Sequence, residues 1–227
     1  VTRKTLSALT ASQTPLITAA MRYRVITAGA LHAMLQSPSE EAADKALKRL
    51  NRRGWLHQIR LPDRQSCYVL SRDAVLALAL SKKAMKAMGQ AAVITNLAMS
   101  WFCARQKVER LIPDEVRAAI PELDKPGLQV GNYYTDHSAD PARLTWMLVD
   151  RGFAQDVLIR KVEKIVKKAY RFPSLVQLMQ SGQFGITILV PNDRKKWLVE
   201  RTLSRRYFAH VAVSVAVVSE IQSLLLS

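Results

Sequence analysis

The sequence predicts an α+β chain: a helical N-terminal part that ends in a β-hairpin, a helical connector, and a C-terminal α/β part. Three observations carry this. Apolar residues recur at helical spacing through residues 14–120, interrupted only by two short extended pieces around LPDRQS. After Pro121, Pro126 and Gly127 the pattern changes to strand-like runs alternating with helices. The positive charge lies in two separate blocks, one in each part. The expected divisions are residues 1–82, 83–125 and 126–227.

The chain has 227 residues, 49% of them apolar, which is enough for a proper core and argues against disorder. Its formal net charge is +16. Residues 1–70 hold 11 Lys and Arg against 4 Asp and Glu, and residues 154–206 hold 12 against 4. Such an excess cannot be neutralised internally and usually meets a polyanion, most often nucleic acid; a generally basic protein is the plainer alternative. Cys67 and Cys103 are too few and too far apart for a zinc cluster and read as free thiols in a reducing cytoplasm. The opening residues do not read as a signal peptide, and no apolar run reaches about 18 residues, so no membrane partner is expected. HVAVSVAVV is Val-rich and reads as a buried strand.

In order, Thr14-Pro15 opens a short helix, because proline is tolerated in a first turn. Thr27 caps AGALHAML, with Leu31, Met34 and Leu35 on one face. Ser37 or Ser39 caps a third helix whose inward stripe is Ala43, Ala46, Leu47 and Leu50, and Gly54 closes it. WLHQIR and CYVLS then form a hairpin. Three helices followed by a hairpin is the order of a winged helix-turn-helix, whose third helix enters the major groove while the wing lies along the backbone. Lys45, Lys48, Arg49, Arg52 and Arg53 belong to that third helix, and Arg60 and Arg64 to the wing. A solvated face on a protein-interaction module would carry similar charges, but so many bases with so few acids favour DNA. His57 and Gln58 either touch bases or make surface hydrogen bonds.

DAVLALALSKKAMKAM, with a cap at Asp73, AAVITNLAMSWFCARQK and PDEVRAAI read as the helical connector, a possible dimerisation surface. Met85, Met88 and Met99 read as core filling rather than a cofactor box. Strands follow at VGNYYTDH, RLTWMLVD, FGITILVPN and HVAVSVAVV, the last two apolar enough to be buried on both faces. Between them lie a helix over 154–182, with a possible break at Pro173, and another over 193–206; a last one starts near Ser219.

The chemistry turns on three acids. Asp136 and Asp140 follow the first C-terminal strand, and Asp150 ends the second. Carboxylates from neighbouring strands can hold Mg²⁺ or Mn²⁺, which polarises a phosphate and activates water. Asp136, Asp140 and Asp150 are thus the candidate catalytic set, with Asp140 and Asp150 as metal ligands. Against this, Leu148 is apolar on the strand face it shares with Asp150, no Lys stands two positions beyond, and Asp-Arg-Gly is ordinary turn chemistry. His137 lies between two of these acids and either joins a metal site or, the favoured reading, is a surface or turn residue. The second basic block offers Arg160, Lys161, Lys164, Lys167, Lys168 and Arg171 at three- and four-residue intervals. Arg194, Lys195, Lys196, Arg201, Arg205 and Arg206 follow, interleaved with Trp197, Tyr207 and Phe208. The bases suit phosphate contact, while Trp197 and Phe208 read as core.

LVDRGF, the Lys161 and Tyr170 that follow it, and the early ALKRLNRRGWL together resemble the replication-relaxation and plasmid-mobilisation group. That resemblance implies an N-terminal winged helix joined to a restriction-endonuclease-like domain. In that group the second core strand ends in Glu, an apolar residue, then Asp-Arg-Gly; Leu148 stands where the Glu belongs. A degenerate nuclease-like domain is therefore expected, in a protein that binds double-stranded DNA without needing a cofactor. The expected role is an accessory or regulatory protein of a mobile element, partnered by a second copy or by a mobilisation or replication protein. A Mg²⁺- or Mn²⁺-dependent nickase or relaxase is the enzymatic alternative, and a winged-helix transcription factor with a partner-sensing C-terminal half is the third.

Overall fold

The computed structural model describes residues 9–80, 87–124 and 130–225. The fold is mixed α+β and divides into two compact units, with the boundary between Arg105 and Gln106. The expected connector is not a part of its own: its long helix belongs to the first unit and its short one to the second. Residues 81–86, with Met85 and the end of one expected helix, and the Pro126-Gly127 boundary lie outside the described residues.

The first unit runs α1 (Thr14–Tyr23), α2 (Ala28–Leu35), α3 (Glu40–Arg52), β1 (Leu56–Arg60), β2 (Ser66–Leu70), α4 (Arg72–Ala77) and α5 (Gln90–Gln106). Side-chain caps set the starts of the helices. Thr27 Oγ1 accepts from the Ala30 amide at 3.2 Å, and Ser39 Oγ from Ala42 at 3.1 Å. Ser39 is therefore the cap of α3, while the Ser37 hydroxyl donates to the Ser39 carbonyl. The cap of α4 is Ser71 rather than Asp73: it accepts from Ala74 and donates to the Gly54 carbonyl at 2.6 Å. Gly54, at φ 69°, takes the left-handed turn that ends α3.

The hairpin pairs Leu56 with Leu70 through Arg60 with Ser66. Ile26, between α1 and α2, exchanges both backbone hydrogen bonds with Tyr68, at 3.0 and 2.8 Å, and so lies beside β2 as a one-residue third strand. Ile17, Leu31, Leu47, Leu50 and Val75 bury beneath these elements. Leu35, expected on the inward face of α2, is 39% exposed. Gly29 and Ala30 face inward instead, and position 29 needs glycine because a Cβ there would stand 2.5 Å from the Trp101 ring of α5. α5 is buried nearly all round, Asn96 and Ser100 included.

The second unit holds α6 (Pro113–Ala119), a 3-10 turn at Pro121–Asp124, β3 (Tyr133–Asp136), β4 (Arg143–Val149), α7 (Gln155–Ala169), α8 (Pro173–Gln180), β5 (Phe184–Val190), α9 (Asp193–Leu203), β6 (Ala212–Val217), a second 3-10 turn at Ser219–Ile221, and α10 (Gln222–Leu225). The sheet order is β3-β4-β5-β6, with β3 antiparallel to β4 and the rest parallel. Pro173 does break the long helix, as the first residue of α8.

Two successive crossovers advance in the same direction. Their helices, through Leu158, Val162, Leu175, Met179 and Val199, share one core with Trp146, Phe184, Ile186, Ile188 and Val215. β5 is buried along its whole length, as its run of apolar residues requires. β6 is not: Ala212 and Ser214 are exposed, because it is the last strand of the sheet. Among the described residues no helix is long and apolar enough to cross a membrane.

Candidate nucleic-acid interface

The α3 surface is built by amphipathic spacing. At about 100° per residue, Lys45, Lys48, Arg49 and Arg52 fall within an arc of roughly 100°. That arc lies opposite the buried Ala43, Leu47 and Leu50. All four are exposed, as are the cap residue Arg53 and the hairpin residues Arg60 and Arg64. Lys45 pairs with Glu41 at 2.8 Å and Lys48 with Asp44 at 2.7 Å, each one turn away on the same helix. The hydrogen bond to Asp44 is the main cause that raises the Lys48 pKa above its ordinary value. Such exposed pairs are weak and exchange readily for a phosphate. Arg64 stands at the hairpin tip with φ 65°, next to Asp63, whose carboxylate accepts from the Gln65 amide at 3.1 Å.

The structure does not bring the three candidate acids together. Six residues link β3 to β4, which allows only an antiparallel hairpin. Asp136 pairs with Arg143 at the start of β4, while Asp150 follows Val149 at its far end. A strand of seven residues separates them, about 23 Å at roughly 3.3 Å per residue. One cation cannot bridge that distance, so the expected catalytic and metal set of Asp136, Asp140 and Asp150 is corrected. Asp136 folds its own turn, accepting from the Ser138 amide at 3.0 Å and its hydroxyl at 2.6 Å. Asp140 is exposed in the same link. Among the described residues no group of three His, Cys, Asp or Glu side chains is placed to share a metal.

Asp150 sits at the carboxyl end of β4 and is 1% exposed. Its Oδ1 accepts from the amides of Gly152 at 3.0 Å and Phe153 at 2.8 Å, which fixes the turn into α7. Gly152 takes φ 88°, a conformation glycine adopts without strain. Oδ2 has no hydrogen-bond partner but lies 3.5 Å from Lys195 Nζ, which donates to the Phe153 carbonyl. Lys195 is in the first turn of α9, where Asn192 caps the helix by accepting from the Lys195 amide at 2.9 Å. The Phe153 ring lies beneath two cations: Lys161 Nζ is 3.1 Å and the Arg151 guanidinium 5.3 Å from its centroid. Burial lowers the Lys161 pKa; Arg151 adds to the shift and Asp150 opposes it. The arrangement is a locked turn bearing cations. Sequence reasoning alone does not place Lys195 beside Asp150. The signal for it is the short link from β5 to α9, which sets the first turn of α9 beside the end of β4.

Along α7, Arg160, Lys164 and Lys167 are exposed, and Lys161 and Lys168 are half-buried. Trp197 is 57% exposed, which corrects its assignment to the core. Its ring lies under the Arg201 guanidinium at 5.2 Å. Phe208 does pack against the core. Tyr207 is 86% exposed.

These features define a mixed α+β protein of two units, each carrying an exposed basic surface. No family model matches the chain, and neither a curated protein nor a solved structure matches it.

Proposed function

We propose that this chain is a DNA-binding accessory or regulatory protein of a plasmid or other mobile element. In this reading the first unit is a winged helix that places α3 in the major groove of double-stranded DNA. The second unit is a nuclease-like domain without a complete catalytic set, and it adds backbone contacts. The single observation that carries the reading is the arc of Lys45, Lys48, Arg49 and Arg52 on α3, opposite the helix's buried stripe. The one-residue strand at Ile26 and the hairpin carrying Arg60 and Arg64 support the winged-helix part. The mobile-element part rests on the resemblance of LVDRGF and ALKRLNRRGWL, and Leu148 with the locked Asp150 turn supports binding over cutting.

The test is fluorescence anisotropy on duplex DNA across a salt series. Replacing Arg49, Arg52 and Arg53 by Ala should flatten the slope of log K against log salt by about 0.9 for each phosphate no longer neutralised, up to about 2.7. Unchanged affinity and slope would sink the proposal. Incubation with supercoiled plasmid and Mn²⁺ should leave the plasmid intact; nicking that disappears in a folded Asp150→Asn variant, which keeps the turn's acceptor, would instead support the nickase reading.

A further inference from the structure

The second unit carries exposed aromatic rings that fold stability does not explain. Trp197 is 57%, Tyr207 86% and Tyr170 47% exposed. Rings of this size on a surface forgo the burial that usually retains them in a sequence. They are not scattered. Trp197, Glu200, Arg201 and Ser204 share one face of α9 and its end, at spacings of three, four and seven residues, over about 10 Å of helix. Glu200 and Ser204 line a shallow groove between the end of α9 and β6, and Tyr207 lines it too. On the other side of Tyr207 a second groove is lined by Lys167, Tyr170 and Arg205. Arg206, Tyr207 and Phe208 belong to both, so the two grooves join across the exposed Tyr207 ring.

The charge of this track is positive. Its two acids are paired, Glu163 with Arg206 at 3.7 Å and Glu200 with Lys196 at 3.9 Å. Lys167 and Arg205 are exposed and in no ion pair among the described residues, and Arg201 is placed over Trp197. Planar rings spaced along a cationic groove stack unpaired bases while neutralising the phosphates between them. Duplex DNA hides the faces of its bases and has no use for the rings. Stacking and phosphate contact leave the sugar unread, so the choice of DNA over RNA rests on the reading of the chain as a DNA-binding protein, and an RNA strand is one arm of the test.

We propose that the track from Trp197 past Tyr207 to Tyr170 binds single-stranded DNA by base stacking, with Lys167, Arg201 and Arg205 on its phosphates. Binding at the track uses none of the α3 residues, so it is tested apart from them.

The test uses the full chain with a 20-nucleotide oligo-dT, a duplex of equal length and a 20-nucleotide oligo-rU, each followed by anisotropy. Trp197→Ala and Tyr207→Ala should each weaken oligo-dT binding about 5- to 150-fold, the span expected for loss of one stacked base. Duplex affinity should change less than about twofold. Trp197→Phe should retain most of the oligo-dT affinity, since a ring remains to stack on. Replacing Arg49 and Arg52 by Glu should leave oligo-dT binding in place, so failure of the α3 reading is distinguishable from failure here. The proposal is overturned if the double alanine variant binds oligo-dT like the parent, if duplex binding falls in step with it, or if oligo-rU binds more tightly than oligo-dT. Both targets are exposed, so unchanged circular dichroism will show that the variants fold.

Discussion

Replacing Asp150 by Ala should cost the second unit about 2–4 kcal/mol, and the structure says where that comes from. The carboxylate is buried and holds two backbone amides, those of Gly152 and Phe153. Removing a charged acceptor from a buried donor costs about 1–3 kcal/mol for each donor that water cannot reach. Gly152 is exposed, so its amide recovers a water and contributes the smaller part; Phe153 is half-buried and contributes the larger. Lys195 loses its partner at 3.5 Å but keeps the Phe153 carbonyl, which limits the electrostatic loss. Asp150→Asn preserves an Oδ1 acceptor and should cost about 1 kcal/mol.

Urea unfolding followed by circular dichroism reads this directly. With a urea dependence of about 2 kcal/mol per molar, the middle of the usual range, the Ala variant should unfold about 1–2 M earlier. Hydrogen exchange at the amides of Gly152 and Phe153 should accelerate with it. A midpoint within about 0.3 M of the parent protein would refute the idea that this acid is a structural lock. An Asn variant as damaged as the Ala variant would show that the charge beside Lys195, rather than the turn, dominates.

Gly29→Ala should destabilise the first unit by about 1–2 kcal/mol in the same urea assay. The added methyl meets Trp101 at 2.5 Å, and overpacking outweighs alanine's helix advantage of about 1 kcal/mol; Trp101→Phe in that background should recover part of the loss. Ser39→Ala removes the α3 cap and should cost about 1 kcal/mol, read as an earlier urea midpoint with duplex binding also weakened. Cys67 and Cys103 are both buried, so a thiol reagent should modify them only as fast as the native state opens, and rapidly in denaturant. Burial pushes the Cys67 thiol up to about 12 from 9.0. Its neutral form is favoured in the fold, so that contribution to stability is complete below pH 9.0 and is lost as pH rises toward about 12. Urea midpoints measured at rising pH should fall over this window, and less so in Cys67→Ala.

Much of the architecture is legible in the sequence because it is written in local chemistry. The four C-terminal strands are runs rich in β-branched and aromatic residues, Pro173 could only open a helix, and Thr27 stands one residue before an apolar period. The candidate metal site fails because hydrophobic period locates a strand but not the direction of its pairing. Asp136 and Asp150 both follow strands and look adjacent on paper, yet an antiparallel hairpin sends them to opposite ends. Link length holds that information, and residue type does not. Trp197 is misplaced for a different reason. In α9 only Val199 is fully buried, so the apolar face is too thin to show on which side an isolated ring will lie. Ile26 joins the hairpin through one residue, which no periodicity can reveal.

The position of β6 has a consequence for handling the protein. AVSVAV is uncharged and β-prone, and its outer backbone groups face no strand of the sheet. It carries none of the lysines, prolines or bulges that usually keep such a rim from recruiting another chain. Repulsion between molecules of net charge +16 opposes such recruitment. Salt shortens the reach of that repulsion to about 3 Å at 1 M. The high-salt buffers chosen to strip nucleic acid from a basic protein are therefore the conditions under which two copies of this one should begin to pair edge to edge through β6, since the β3 edge is already bridged by Arg110.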